Sequence, residues 1–197
     1  MAGGWLVRLA RFDFTAFDEI RADPSATVSA VLIVLGSSVL AGIGSWLWAV
    51  QGPDFQGLDR TDLFLRSAVL GSLVQTGVWF LWVYGVGWLI THLYKAKADF
   101  LELVRTMGFA FAPVSLSVFI VVAFLAVPVG IFAFAVTILL SSVAVQTTSD
   151  GDGGHAMLAT LLGFGGFLVV MGVFANVLEV GTFGGVAPGI LFFSLDL

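Results

Sequence analysis

Apolar residues run along this chain in five blocks of eighteen or more, separated by short polar interruptions except between the third and fourth, where only Pro128 intervenes. The blocks read about 26–50, 67–94, 107–127, 129–146 and 156–178. Roughly 20 apolar residues in α-helix cross the ~30 Å hydrocarbon layer. Backbone in lipid must satisfy its own hydrogen bonds, so helix is the form expected of each block. The pattern predicts an all-α polytopic membrane protein, a bundle of five transmembrane helices. Ahead of the first block, Trp5, Leu6, Leu9, Phe12, Phe17 and Ile20 recur at helical spacing among Arg8, Arg11, Asp18, Glu19 and Arg21. That spacing predicts an N-terminal amphipathic helix lying in the membrane interface over residues 1–23. The spans then occupy 24–179, and 180–197 form an apolar tail too short to span, expected in the interface or against another chain.

Finer features sit inside this frame. Asp23 is placed to accept the first free amide protons of span one, and Pro24 fits a first helical position. Ser37, Ala41 and Ser45 fall four apart, as do Ser38 and Gly42, and Ala133, Thr137 and Ser141 repeat the pattern in span four. Small residues at that interval let helices approach closely. Gln75 and Asn176 are the polar intruders of spans two and five, and an amide in hydrocarbon is expected to bond a neighbouring helix. Between spans two and three, Phe100, Leu103, Val104 and Met107 form an apolar stripe, with Lys95–Asp99 and Glu102–Arg105 spaced for ion pairing. This segment reads as a surface amphipathic helix leading into span three. Pro113 removes a backbone hydrogen bond early in that span, and Pro128 marks a tight turn that makes spans three and four a hairpin. Gly163, Gly165, Gly166 and Gly172 suggest close packing of span five.

Composition agrees with a lipid solvent: 59% of the 197 residues are hydrophobic and only 11% charged, against roughly 25% charged in soluble domains. The net charge of −5, with the acidic residues mainly in connecting segments, excludes a nucleic-acid surface. There is no cysteine. The two histidines, His92 and His155, sit at span boundaries without Glu-x-x-His spacing, and no Gly-x-Ser-x-Gly is present, so no catalytic residue, metal site or cofactor is expected. Asp150 and Asp152 lack the further ligands of a calcium loop. The first residues, broken by Arg8, Arg11 and Asp13, do not read as a cleavable signal. Arg8, Arg11, Arg21, Lys95, Lys97 and Arg105 fall on one side of a five-span chain, against Arg60 and Arg66 on the other. By the positive-inside rule the N-terminus is cytoplasmic and the C-terminus outside.

The Asp23-Pro24 start of span one, the amphipathic Lys95–Arg105 segment, Gly108-Phe109-x-x-x-Pro113 in place of Gly-Tyr-x-x-x-Pro, the Pro128 turn and the glycine-rich loop before Ala156 together resemble the Yip family. The resemblance covers about residues 14–178. It implies a cytoplasmic N-terminus, no enzyme activity and, in eukaryotic members, Rab GTPase binding and hetero-oligomers in vesicle traffic. The Asp-Leu-Tyr-Gly-Pro motif and long N-terminal domain of that branch do not occur in this sequence, so a Rab-type GTPase partner does not carry over. The chain resembles the compact prokaryotic members, which implies a prokaryotic cytoplasmic membrane. The expected function is a non-enzymatic scaffold or accessory subunit. Its expected partners are membrane lipids and other integral membrane proteins or copies of itself, with Phe192 and Phe193 of the tail as candidate contacts. The alternative is a small transporter or permease-like component, using Gln75, Pro113 or the glycines of span five.

Overall fold

The computed structural model describes residues 2–51 and 59–177. The tail, with Phe192 and Phe193, lies outside the described residues. The chain is all-α: α1 Ala2–Ala10, α2 Ala16–Ala22, α3 Ala26–Gln51, α4 Arg60–Leu93, α5 Phe100–Val121, α6 Ala126–Thr148 and α7 Gly153–Val177. Helices α3 to α7 are long and apolar enough to cross a membrane.

Three departures from regular α-helix have local causes. In α4 the turns Leu65–Leu70 and Leu89–Leu93 are π-helical. At the second, the Tyr94 N–H reaches five residues back to Leu89 O (3.1 Å) and the Ala96 N–H six back to Ile90 O (3.0 Å). Lys95, at φ 57°, takes the left-handed conformation that ends the helix. In α5 the regular helix stops at Ala110, and Ala112–Val121 continue as ten residues of 3₁₀-helix. Pro113 supplies no N–H, and the change of winding follows at once. The 3₁₀ winding eclipses side chains three apart, and Val114, Ser117 and Ile120 form its buried row.

Two compact units contain these elements. The first comprises Met1–Val34, Trp79–Ala112 and Val136–Gly166, the second Leu35–Val78, Pro113–Ala135 and Phe167–Leu197. In the first, α2 packs on the opening turns of α5 and α1 packs on α2, burying Phe17, Ile20, Leu103 and Met107 completely. In the second, α3 approaches α4 at Gly42, where a Cβ would stand 2.7 Å from Ser67 O and 2.9 Å from Ala68 Cα. It approaches the 3₁₀ segment at Gly44, where a Cβ would stand 2.9 Å from Val118 Cα. Only glycine fits such approaches of backbone to backbone.

Two expectations change. The helix expected over residues 95–105 starts only at Phe100, capped by Asp99, and runs directly into the span, with Leu103, Val104 and Met107 buried against neighbours and Phe100 exposed. The turn between spans three and four precedes Pro128, at residues 122–125, where the Leu125 N–H bonds Val122 O at 2.8 Å. Pro128 is the third residue of α6, in the first turn, where a missing N–H costs no helical bond.

Candidate functional site

A short run of α5 ties the first unit together. Gly108 lies so close to α3 that a Cβ on it would stand 2.6 Å from Ala30 Cβ. Phe109, fully buried, meets Trp5 of α1 edge to face at 5.6 Å. Phe111 meets Trp79 and Trp82 of α4 at 6.3 and 6.4 Å. Trp82 carries the contact on to α7: its indole N–H donates to Thr160 O at 3.3 Å, and its ring meets Phe164 at 5.4 Å. A Cβ on Gly163 would come within 2.8 Å of Trp82. Residues 108–111 therefore reach three other helices within one turn.

Polar side chains clasp the same unit. Arg8 of α1 donates to Asp13 and Glu19 carboxylates, each at 2.7 Å, and to Thr15 Oγ1 at 2.9 Å. The Trp5 indole N–H donates to Glu19 at 2.9 Å. Thr15 and Arg8 hold the Asp13 carboxyl below its ordinary range. Arg8 and then Trp5 do the same for Glu19. Arg21 of α2 donates to Thr147 O of α6 at 2.6 Å and pairs with Glu102 of α5 at 3.6 Å. Arg105 of α5 donates to Arg21 O at 2.8 Å and to Thr27 Oγ1 of α3 at 2.9 Å. Two guanidinium forks thus join α2, α3, α5 and α6. The spacing-based pairs are not made: Glu102 turns to Arg21 instead of Arg105, and Asp99 caps α5 by accepting from Leu101 and Glu102 N–H at 2.9 and 3.0 Å. A carboxylate fixed at a helix N-terminus gains from the helix dipole as well as from the two bonds, which a solvated lysine cannot match.

Beside the clasp, the C-terminal end of α4 and the start of α5 enclose a groove of about 420 Å³. One wall is Tyr84, Gly87, Trp88, Thr91 and His92, and the other is Ala98, Phe100 and Leu103. Tyr84, Trp88 and Phe100 remain 62%, 49% and 44% exposed. The His92 ring stacks on Trp88 at 5.3 Å and 12°, and Tyr94 stacks on His155 of α7 at 4.4 Å.

Buried polarity goes unanswered in both units, and in the second it gathers on three helices. Ser72 Oγ bridges to Ser38 O at 3.0 Å, but Ser38 Oγ, Ser45 Oγ, Ser117 Oγ and both amide atoms of Gln75 have no hydrogen-bond partner among the described residues. Gln75 is completely buried, so the interhelical bond expected of it is not formed. Ser67 and Ser72 bond the carbonyl four residues back. Ser117 does not, because 3₁₀ winding moves that carbonyl out of line.

The other residues singled out in the sequence are placed as follows. Asp23 accepts from the Ser25 N–H at 2.8 Å, and hydrogen bonding by Ser25, side chain first and then backbone, draws its carboxyl below the usual range. Ser37, Ala41 and Ser45 of α3 are buried, as are Ala133, Thr137 and Ser141 of α6. Thr137 Oγ1 and Ser141 Oγ, in the first unit, have no partner among the described residues. Of the glycines at the centre of span five, a Cβ on Gly163 would meet a neighbour, while one on Gly165 or Gly166 would face open space. Asn176 lies within α7, and its side chain is outside the described residues. Among the described residues no three of His, Asp and Glu converge as metal ligands. Arg21 and Arg105 were not legible as partners, since their bonds reach 78 to 126 residues along the chain.

Five helices of spanning length, joined near their ends by a charged clasp, define a polytopic helical membrane protein. The model of the Yip1 domain family matches residues 13–175, and the chain belongs to that family. No curated protein and no solved structure matches it.

Proposed function

We propose that this protein is a non-enzymatic scaffold or accessory subunit of a larger membrane assembly. The observation that carries the reading is the fate of its polar side chains in the first unit. Arg8, Asp13, Glu19, Arg21, Glu102 and Arg105 are engaged in bonds that fix helices to one another. Groups used in this way act as fasteners between helices, which suits a rigid binding surface.

The membrane is a prokaryotic cytoplasmic membrane, with the N-terminus inside and the C-terminus outside. Supporting that orientation, Arg105 bonds Arg21 and Thr27, so the cationic segments before α3 and at the start of α5 share one face. Partners are membrane lipids and other integral membrane proteins or further copies of the chain, with Phe192 and Phe193 offered to them.

Native mass spectrometry of the tagged protein, gently extracted from its own membrane, tests the assembly. A stoichiometric protein partner lost on Phe192→Ala/Phe193→Ala substitution is expected. A chain that emerges alone, as a monomer, refutes the subunit reading. A reporter fused after Leu197 that is active only on the cytoplasmic side refutes the orientation.

A further inference from the structure

We infer that the groove between the end of α4 and the start of α5 is a phospholipid site, taking one acyl chain along Tyr84, Trp88 and Phe100 with the phosphate at His92. Its volume of about 420 Å³ falls in the range of small-ligand sites, roughly 300–1,000 Å³. From Tyr84 to His92 the wall is about 12 Å long at 1.5 Å per helical residue. That is shorter than a docking partner helix requires. The surrounding surface is hydrocarbon-facing, with Leu81, Leu93 and Leu101 all exposed, so an acyl chain reaches the groove laterally without leaving the bilayer.

The two ends differ in chemistry. The lower walls are aromatic and aliphatic. At the other end the π-helical turn places Thr91 and His92 side by side, and turns of this kind recur at binding sites. His92 Nδ1 lies 3.3 Å from Trp88 O and 2.9 Å from Thr91 Oγ1. A carbonyl can only accept, so Nδ1 carries the proton, and stacking on Trp88 fixes the ring. Nε2 is then the ring atom left to face a ligand.

Lys95 and Lys97 follow at the same end, exposed and without an ion-pair partner among the described residues. Of the nearby carboxylates, those of Asp99 and Asp152 are turned to the backbone N–H groups of Leu101, Glu102 and Gly154, and Asp150, whose N–H bonds Lys97 O at 3.3 Å, adds a third. The two exposed lysines at this end suit an anionic phosphodiester.

The test uses the full chain in two measurements. Native mass spectrometry follows the lipid retained after delipidation and incubation with phosphatidylethanolamine/phosphatidylglycerol vesicles, in wild type, Thr91→Trp and Val169→Trp. Thr91→Trp fills the groove, and Val169→Trp loads an exposed position elsewhere. One retained phospholipid in wild type and Val169→Trp, lost in Thr91→Trp at an unchanged melting temperature, is expected. Equal retention in all three, or none in wild type, overturns the site. The second measurement does not depend on how Thr91→Trp folds. Vesicles of the same lipids with brominated acyl chains should quench wild-type tryptophan fluorescence more than that of Trp88→Phe, and equal quenching overturns the assignment. A homodimer that Thr91→Trp dissociates, with no lipid retained, overturns it in favour of a second copy.

Discussion

Replacing Gly108 by alanine tests the packing of the first unit in one methyl group. The new Cβ would lie 2.6 Å from Ala30 Cβ and 3.1 Å from the Ala30 backbone, about 0.8 Å inside the onset of ordinary contact at 3.4 Å. The atoms it meets belong to a backbone and a side chain with no rotamer to change, so α3 and α5 must separate. Overpacking of that kind costs about 1–3 kcal/mol. Against it stands the helix-propensity gain of Gly→Ala, about 0.8–1.0 kcal/mol. Gly77, with nothing within 4 Å, isolates that gain. Gly77→Ala should therefore hold or raise stability by about 0.5–1 kcal/mol, and Gly108→Ala should lower it by up to about 2 kcal/mol, so that the two variants differ by about 1–3 kcal/mol. Reversible unfolding in mixed detergent micelles measures both. Adding Ala30→Gly to Gly108→Ala should recover part of the loss, a coupling of about 1 kcal/mol in the double-mutant cycle. Gly108→Ala as stable as Gly77→Ala would refute the close approach.

Three further outcomes follow from buried or clasped polar groups. Gln75→Leu removes two unpartnered amide atoms, each of the kind that costs about 1–3 kcal/mol when buried. It should raise the unfolding midpoint, and a loss of stability would show that Gln75 is bonded after all. Arg105→Ala deletes the bonds to Arg21 O and Thr27 Oγ1, and should destabilise by about 1 kcal/mol given its partial exposure, read in the same unfolding assay. Unchanged stability would mean that solvent replaces both bonds. Asp13 and Glu19 have lowered folded-state pKa values, so the α1–α2 clasp is held above the ordinary carboxylate pKa of about 4 and is lost as pH falls through the folded values. Arg8 stays charged throughout. A spin label at Val7→Cys, in a chain with no other cysteine, should report constant mobility from pH 8 to 5 and release at lower pH. Release near neutrality would contradict the sign.

The number of spans was legible because lipid imposes one rule on every residue, whereas their edges were not: α4 and α5 begin seven residues before the apolar blocks at 67 and 107. The interval between Trp5, Leu9, Phe17 and Ile20 predicts one helix, and the structure divides it into α1 and α2 at a turn where Phe12 takes φ 60°. What spacing could not reach was tertiary. Glu102 and Arg105 sit at pairing distance along one helix, yet each finds a better partner elsewhere, Arg21 in one case and Thr27 with the Arg21 carbonyl in the other. Gly163, Gly165 and Gly166 look equivalent in sequence, and only the face turned to Trp82 distinguishes the first. Gly44 gave no signal because its reason lies in another helix's backbone. The groove includes residues of the π-helical turn Leu89–Leu93, a change of winding that no residue type there announces.

The 3₁₀ winding of Ala112–Val121 sets how much membrane those residues cover. Ten residues rising about 2.0 Å each extend about 20 Å, whereas α-helix at 1.5 Å would cover about 15 Å. The difference, about one α-helical turn, is comparable to the thickness gap of several Å between thin and thick biological membranes. The span that begins at Phe100 therefore matches a thicker hydrocarbon layer than its 22 residues would as plain α-helix, and rewinding this segment would trade bilayer thickness against the angular position of Val114, Ser117 and Ile120.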